Sequence, residues 1–445
     1  MQVHQFSSTF GFLMAATGFA VGLGNIWRFP YITGENGGGA FVIVYLSCAI
    51  LIGIPILIAE ILIGRHGQAN PPKAIFKIAT EEGRSGQWQH VGHLNLATAF
   101  IILGTYCVVA GWVFWYLYKG ITIGFADFDA GIASATFSGV LGSIDGMLFW
   151  TALSLLATGS IIYAGVNNGI ERSVRVLMPT LFILMLALVI YNASQDGFGA
   201  AASYLFTPDF SKIDGGTFLA AVGQAFFSIG VGMAGMMIFG SYLPPQVSIT
   251  RCVLIIIVID TMVALIAGLM IFPMVFRFGL DPAGGPGLIF QTLPVAFAQM
   301  PGGQWVAILF FTLLSVAAVT SMVGLLEPLV AWLEESTAFG RHQATAAVLA
   351  AVAALGIVSV LSYNVISDWK IGARDLNGIF DYLSNQIMLP VGGLLIALFT
   401  GWQMQKATLR EELFAMPAWV FEAWLMLLRF LLPIAILVIL VTGLS

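Results

Sequence analysis

Charge is scarce in this chain. Only 9% of its 445 residues are Asp, Glu, Lys or Arg, against roughly a quarter in an ordinary soluble domain, and so few ions cannot hold a 59% hydrophobic chain in water. A soluble fold is excluded. Lys and Arg number 17 and Asp and Glu 22, so there is no basic excess to attract nucleic acid, and the expected partner is lipid. Cysteine is almost missing: Cys48, Cys107 and Cys252 lie far apart inside apolar runs, without CxxC spacing, which excludes a disulfide framework and a thiolate zinc site. Histidine is equally rare, and His4, His66, His90, His93 and His342 fall in predicted loops or at their edges. With no GxSxG, HExxH or Walker pattern either, catalysis has nowhere to start and no enzyme is expected. A basic n-region and a small-residue cleavage signature are also lacking, so the first apolar stretch is expected to stay in the mature protein.

What is abundant is apolar length. A helix needs about 20 mainly apolar residues to cross the hydrocarbon, and such runs occur near 9–33, 39–64, 95–125, 147–164, 174–193, 215–240, 252–278, 304–332, 344–363, 377–402 and 418–443. The expected fold is an all-α polytopic membrane protein of eleven transmembrane helices. With the N-terminus inside, the inner loops hold Arg65, Lys73, Lys77, Arg84, Arg172, Arg175, Arg251, Arg341, Lys406 and Arg410, and the outer loops Lys119, Lys212, Arg277, Lys370 and Arg374. Ten against five favours a cytoplasmic N-terminus and an outside C-terminus. Arg28 and Arg429 remain, each within or at the edge of a span.

Two spans are interrupted at matching places. Residues 18–25 of the first helix read GFAVGLGN and residues 228–235 of the sixth read SIGVGMAG. Each glycine weakens a helix by about 1 kcal/mol. One cluster would suit close helix packing, but a matched pair points to broken helices 1 and 6 and an inverted 5+5 repeat, with a binding site at the membrane midplane. The expected units are residues 1–193, 194–403, and helix 11 with its connecting loop at 404–445. Ionised groups inside a bilayer need a partner or a task. Asp260 stands alone in VLIIIVIDTMVALIAGLMIF; it suits a hard cation beside carbonyl oxygens, or a protonated carboxyl bonded to a neighbouring helix. Glu60, in GIPILIAEILIG, suits the free amides of a broken helix.

The string GFAVGLGNIWRFPYITGENGGGAF, residues 18–41, resembles the first-helix signature of neurotransmitter:sodium symporters, including bacterial amino acid members with the leucine-transporter fold. The resemblance continues through GIPILIAEILIGR, YCVVAGW, GIERSVRVLMPTLF, AVGQAFFSIGVG and AAVTSMVGLLEPLVAWLEE. It implies two sodium sites: one from the Ala20 carbonyl, Asn25, Ser228 and Asp260, the other from the carbonyls of Gly18, Val21 and Ala317 with the hydroxyls of Thr320 and Ser321. It implies a substrate carboxylate on the backbone of Val21, Gly22, Leu23 and Gly24 and on Tyr106. The side chain would lie against Ile102, Phe227, Gly230, Met233 and Leu325, with Ser228 and Ser321 also among the substrate-binding residues. It also implies an outer gate of Arg28, Asp381, Tyr106 and Phe227. At the inner gate this chain departs from the family, with Val3 and Phe6 where a basic residue and Trp are usual. Glu335 is then expected to lack its partner, and closure to rest on Phe6, Ser241 and Tyr242. Gly169 and Pro179 match a helix 5 hinge seen in some relatives; a static proline kink is the alternative.

Gly22 stands where monoamine members carry Asp, so the substrate should bring its own carboxylate, and Gly230 leaves room for bulk. The resemblance thus implies sodium-coupled symport of a bulky aliphatic or aromatic L-amino acid by alternating access. Ala264 replaces a hydroxyl of the halide cage, leaving Tyr45, Gln224 and Ser228, so transport is expected to be chloride-independent. The alternatives are proton coupling on the same fold and a substrate-gated sensor or channel. A monomer or weak dimer in a bacterial inner membrane is expected.

Overall fold

In the computed structural model the chain is described over residues 5–282, 287–372 and 374–444, the side chains of 442–444 excepted; Val3 and His4 lie outside these residues. Helix is nearly everywhere, because a backbone in lipid must satisfy its own amides and carbonyls. Among the described residues, nine helices are long and apolar enough to cross a membrane: α2 (Gly39–Gly67), α3 (Gly86–Thr122), α4 (Ile144–Tyr163), α5 (Val166–Ala193), α7 (Ile249–Arg277), α8 (Gly303–Ser336), α9 (Arg341–Ser362), α10 (Leu376–Gln403) and α11 (Ala418–Val441). A tenth span is bent by 45° between α1a (Thr9–Ala20) and α1b (Gly24–Glu35). The eleventh is divided into α6a (Gly215–Ile229) and α6b (Gly235–Ser241), each too short to cross alone. The fold is therefore the eleven-helix one expected, with the first and sixth spans broken.

Several boundaries differ from the hydropathy reading. α3 starts at Gly86 and α5 at Val166, because the amphipathic first turns of both are helical beyond the apolar run. The loops also carry short helices, among them Pro71–Glu81 and Lys406–Glu412. α3 and α8 pack along one another at the centre, whereas only 28% of the most apolar window of α5 is buried, so α5 is peripheral. Arg429 finds its reason here: Nε donates to the Gly401 carbonyl (2.6 Å), at the end of α10, and the guanidinium lies 5.5 Å from the Trp402 ring centre. The cation thus meets the carbonyl end of a helix, where positive charge is favoured.

Candidate functional site

The break in the first span is built from glycine. α1a closes with the Val21 amide on the Thr17 carbonyl (2.7 Å), and the chain restarts with the Asn25 and Ile26 amides on the Gly22 carbonyl (3.1 and 3.2 Å). Between them, the Leu23 amide donates to the Tyr106 hydroxyl (3.0 Å) and the Gly22 amide to Asn25 Oδ1 (3.3 Å). An added Cβ at Gly22 would run into Ser321 Oγ and lie 3.0 Å from the Tyr106 oxygen, so Ser321 would have to turn away. The break in the sixth span needs left-handed backbone, with φ of +78° at Gly230, +79° at Gly232 and +64° at Ala234, and Ala pays a steric cost there that Gly does not. Glu60 holds this break as its position suggested, accepting the Gly232 amide at 2.6 Å.

Three residues from three spans meet around one carboxylate. Asn25 Nδ2 donates to Asp260 Oδ1 (2.7 Å) and to the Ser228 hydroxyl (2.9 Å), while Ser228 Oγ reaches both oxygens of Asp260 (3.0 and 2.9 Å). Tyr45 Oη lies 3.3 Å from Asp260 Oδ2 and 3.3 Å from Ser228 Oγ. Gln224 is close by, donating to the Gly24 carbonyl (2.8 Å). Ala264, fully buried, offers no hydroxyl. On the other side of the break, Ser321 Oγ reaches the carbonyls of Phe19 (3.1 Å) and Gly18 (3.4 Å), and Thr320 Oγ1 that of Ala317 (3.1 Å). A Cβ at Gly18 would lie 3.1 Å from the Met178 sulfur, so α5 presses on the same place. The first group carries one carboxylate and the second only neutral oxygens. Both are donor sets that suit a hard monovalent or divalent cation rather than a soft metal.

A nearly closed cavity of about 20 Å³ lies between the two groups, lined by Phe19, Ala20, Gly22, Gly24, Ile102, Tyr106, Phe227, Met233, Ser321 and Leu325. Its walls are apolar, and its polar end consists of backbone beside the break and the hydroxyls of Tyr106 and Ser321. That division suits a small ligand with one charged end and one apolar end. Of the residues expected to contact substrate, Val21, Leu23, Ser228 and Gly230 are buried behind the lining. Phe19 was not foreseen. Its ring occupies the hollow left by three glycines: a Cβ at Gly230 would sit 2.8 Å from the Phe19 ring, and one at Gly235 or Gly324 would collide with it. The space at Gly230 thus belongs to Phe19, and only the coincidence of these glycines in space, invisible along the chain, could have revealed it.

The two ends of the cavity differ. Toward α10, the Arg28 guanidinium lies 4.8 Å from the Phe227 ring centre. Among the described residues it makes no ion pair with Asp381, which is exposed and accepts from Asn385 Nδ2 (2.6 Å). Toward the N-terminus the protein is sealed. Phe6 is buried, its amide donates to the Tyr242 carbonyl (3.1 Å), and its ring meets Phe12, Phe239 and Tyr242 edge-on. Ser241 only bonds back to the Ile238 carbonyl (2.7 Å). Glu335 does have partners, contrary to expectation: it accepts from the Asn70 amide (3.2 Å) and side chain (2.9 Å), with Lys73 Nζ at 3.8 Å. These come from the loop helix after α2, too distant in sequence to suggest a pairing. Unforeseen too is Glu327, wholly buried, which accepts from Tyr242 Oη (2.7 Å) and is gripped by both terminal nitrogens of Arg341. α5 runs unbroken through Pro179 in this state.

The profile of the Sodium:neurotransmitter symporter family matches residues 3–129 and 139–445. The chain is 35% identical to the uncharacterized sodium-dependent transporter YhdH of Bacillus subtilis, over 98% of this chain and 96% of that protein. A further uncharacterized sodium-dependent transporter, from Haemophilus influenzae, is 33% identical over 100% and 98% of the two chains. In three dimensions it is similar to the crystal structure of MhsT in complex with L-phenylalanine, with a TM-score of 0.92, 40% identity and 99% of each chain covered. The shared breaks, the shared fold and the length of the match agree: this chain is a transporter, not an enzyme, and belongs to the sodium:neurotransmitter symporter family.

Proposed function

We propose that this protein carries a bulky aliphatic or aromatic L-amino acid together with sodium, by alternating access and without chloride. The observation that carries the reading is the placing of one cavity between two oxygen clusters that both use the broken backbone of α1a and α1b. One sodium ion is assigned to the Ala20 carbonyl, Asn25, Ser228 and Asp260. The second is assigned to the carbonyls of Gly18, Val21 and Ala317 and the hydroxyls of Thr320 and Ser321. The amino acid's carboxylate meets the amides at the start of α1b, the positive end of a half-helix, and Gly22 leaves it room. Its side chain lies on Ile102, Phe227, Met233 and Leu325. MhsT, at 40% identity, was crystallised with L-phenylalanine, in line with the apolar walls here.

Coupling has a physical cause in this reading. Substrate carboxylate and sodium order the same stretch of backbone, so each binds better with the other present, and by reciprocity to the same extent. Asp260 supplies a fixed negative charge where chloride-dependent relatives need an anion, and Ala264 leaves the halide cage short of a hydroxyl. Helices 1–5 and 6–10 act as the two inverted repeats, within residues 1–193 and 194–403. The N-terminal face is the cytoplasmic side of the plasma membrane, following the excess of Lys and Arg there. The test is uptake of labelled leucine, tryptophan, tyrosine, alanine, glycine, proline and GABA into proteoliposomes under an inward sodium gradient, with gluconate replacing chloride in parallel. Sodium-dependent accumulation of leucine, tryptophan or tyrosine in both anions is expected. Uptake driven by a pH gradient instead would make Asp260 a proton carrier, and binding without accumulation would make the protein a sensor.

A further inference from the structure

The start of the chain is held to α5 by a second device, chemically separate from the aromatic cluster around Phe6. Glu171 ends the first, wide turn of α5 (Val166–Glu171) and is 2% exposed. A buried carboxylate must be bonded on every side to stay ionised, and here the bonds come from the N-terminal segment: the Ser7 amide (2.9 Å), the Ser7 hydroxyl (2.6 Å) and the Ser8 hydroxyl (3.3 Å). Arg175, one turn on, completes the set with Nη2 on Oε1 at 2.6 Å and reaches the Ser7 and Ser8 hydroxyls at 2.9 and 3.0 Å. Ser8 is at the same time the N-cap of α1a, its Oγ accepting the Gly11 amide at 3.0 Å. Gly11 is itself required, because a Cβ there would run into the Glu171 carboxylate.

The turn that carries Glu171 is wider than an ordinary α-helical turn. It hangs on Gly165, whose φ is +86° and whose carbonyl takes the amides of both Gly169 and Ile170 at 3.0 Å. Farther along, Met178 lies against Gly18 and precedes Pro179. A pull on Ser7 and Ser8 therefore acts on the first turn of α5, and loosening that turn removes the carboxylate that fixes Ser8, the N-cap of α1a. We propose that Glu171 is a latch which makes release of the N-terminal segment and loosening of the first turns of α5 a single event. The proposal rests on the N-terminal face being one that opens in the transport cycle, but not on which amino acid or ion is carried.

Hydrogen–deuterium exchange of the full-length protein in nanodiscs, without sodium or substrate, tests it. In Glu171→Gln, peptides covering 5–12 and 164–174 should both exchange about tenfold faster, as expected for losing a charge-assisted hydrogen bond. Ser7→Ala combined with Ser8→Ala should speed the same two regions, although neither substituted residue belongs to α5. Exchange across α3 and α8 should stay at the native level, which checks that the variants fold. Acceleration confined to residues 5–12 would make Glu171 a local cap and overturn the proposal, as would no acceleration in either region. Because no substrate is present, a wrong assignment of the transported species would leave this result unchanged.

Discussion

Removing the guanidinium of Arg341 should do more damage than removing it together with the charge it neutralises. Glu327 has a side chain with 0% exposure and Arg341 one with 14%, so water offers the carboxylate nothing in exchange. In Arg341→Gln the carboxylate keeps only the Tyr242 hydroxyl among its strong partners, and the Ile162 carbonyl loses the bond from Nε (3.2 Å). Stranding one member of a buried pair costs about 3–5 kcal/mol. Glu327→Gln in the same chain removes the stranded charge but keeps an acceptor for Tyr242, so about 1–3 kcal/mol of that loss should return, within the range of couplings between touching groups. Tyr242 also packs on Phe6, so the loss should appear as opening of the N-terminal face. The assay is alkylation of a cysteine placed at Ser241 in the native chain, both single variants and the double variant, with thermal stability in detergent measured beside it. Arg341→Gln should be the most reactive and least stable, and the double variant intermediate. If the double variant is worse than the single by the full effect of Glu327→Gln alone, the two residues act independently and the reasoning fails.

Gly22→Ala should raise the Kd for substrate about 5- to 150-fold, corresponding to about 1–3 kcal/mol of overpacking against Ser321 and Tyr106; unchanged affinity in a binding assay would remove Gly22 from the cavity wall. Phe19→Ala should shift competition among amino acids toward the largest side chains, because the hollow among Gly230, Gly235 and Gly324 would then open to substrate; an equal loss for every amino acid would leave Phe19 only a support for the backbone. For Glu412, burial opposes ionisation, but bonds from His66 (3.0 Å) and Arg65 (2.6 Å) outweigh it and hold the carboxyl below its ordinary range. A lowered value means that the ionised form stabilises the fold above the ordinary carboxylate range and that this contribution is lost as pH falls through the lowered value; thermal scans from pH 7 to pH 3 should show the loss in the native chain and a flatter profile in Glu412→Gln. Pro179→Ala should slow turnover more than binding if α5 has to unwind there, and equal effects on both would make the proline a fixed kink.

Hydropathy alone located the spans, because lipid enforces continuous apolar length, and the paired glycine clusters located both breaks, because glycine takes up non-helical backbone without a steric penalty. Glu60 and Asp260 were legible for the same reason: a lone carboxylate in an apolar run has few things it can do. What escaped was chemistry divided between distant segments. Glu327 reads as one more acid near the end of a long helix, and only folding brings Arg341 of the next helix and Tyr242 of the sixth span to it. Glu335 shows no partner along the chain because the family pattern puts its cation at the N-terminus, while the structure supplies Asn70 and Lys73 from a loop helix. Phe19 escaped because a phenylalanine beside glycines looks like ordinary membrane filling until three glycines from two spans surround one ring.

The two ends of the cavity are closed by different physics, and this bears on the direction in which the molecule rests. The N-terminal face is fastened by carboxylates that are largely removed from water, Glu171, Glu327 and Glu335, each bonded to groups from another segment. Opening that face strands several of them at once, so partial opening gains little and the transition should be cooperative. At the other end the contact among the described residues is a half-buried guanidinium over the Phe227 ring, with Asp381 exposed, an interaction worth about 0.5–2 kcal/mol. Such a contact yields to a ligand without disturbing the core. Phe227 is also part of the cavity wall, so an amino acid that settles there touches the ring on which Arg28 lies. Substrate can therefore bias the lightly held end directly, whereas it reaches the N-terminal fastenings only through the broken backbone of the first and sixth spans. That division of labour fits the proposed placing of the ion-binding oxygens at the breaks rather than at the gates.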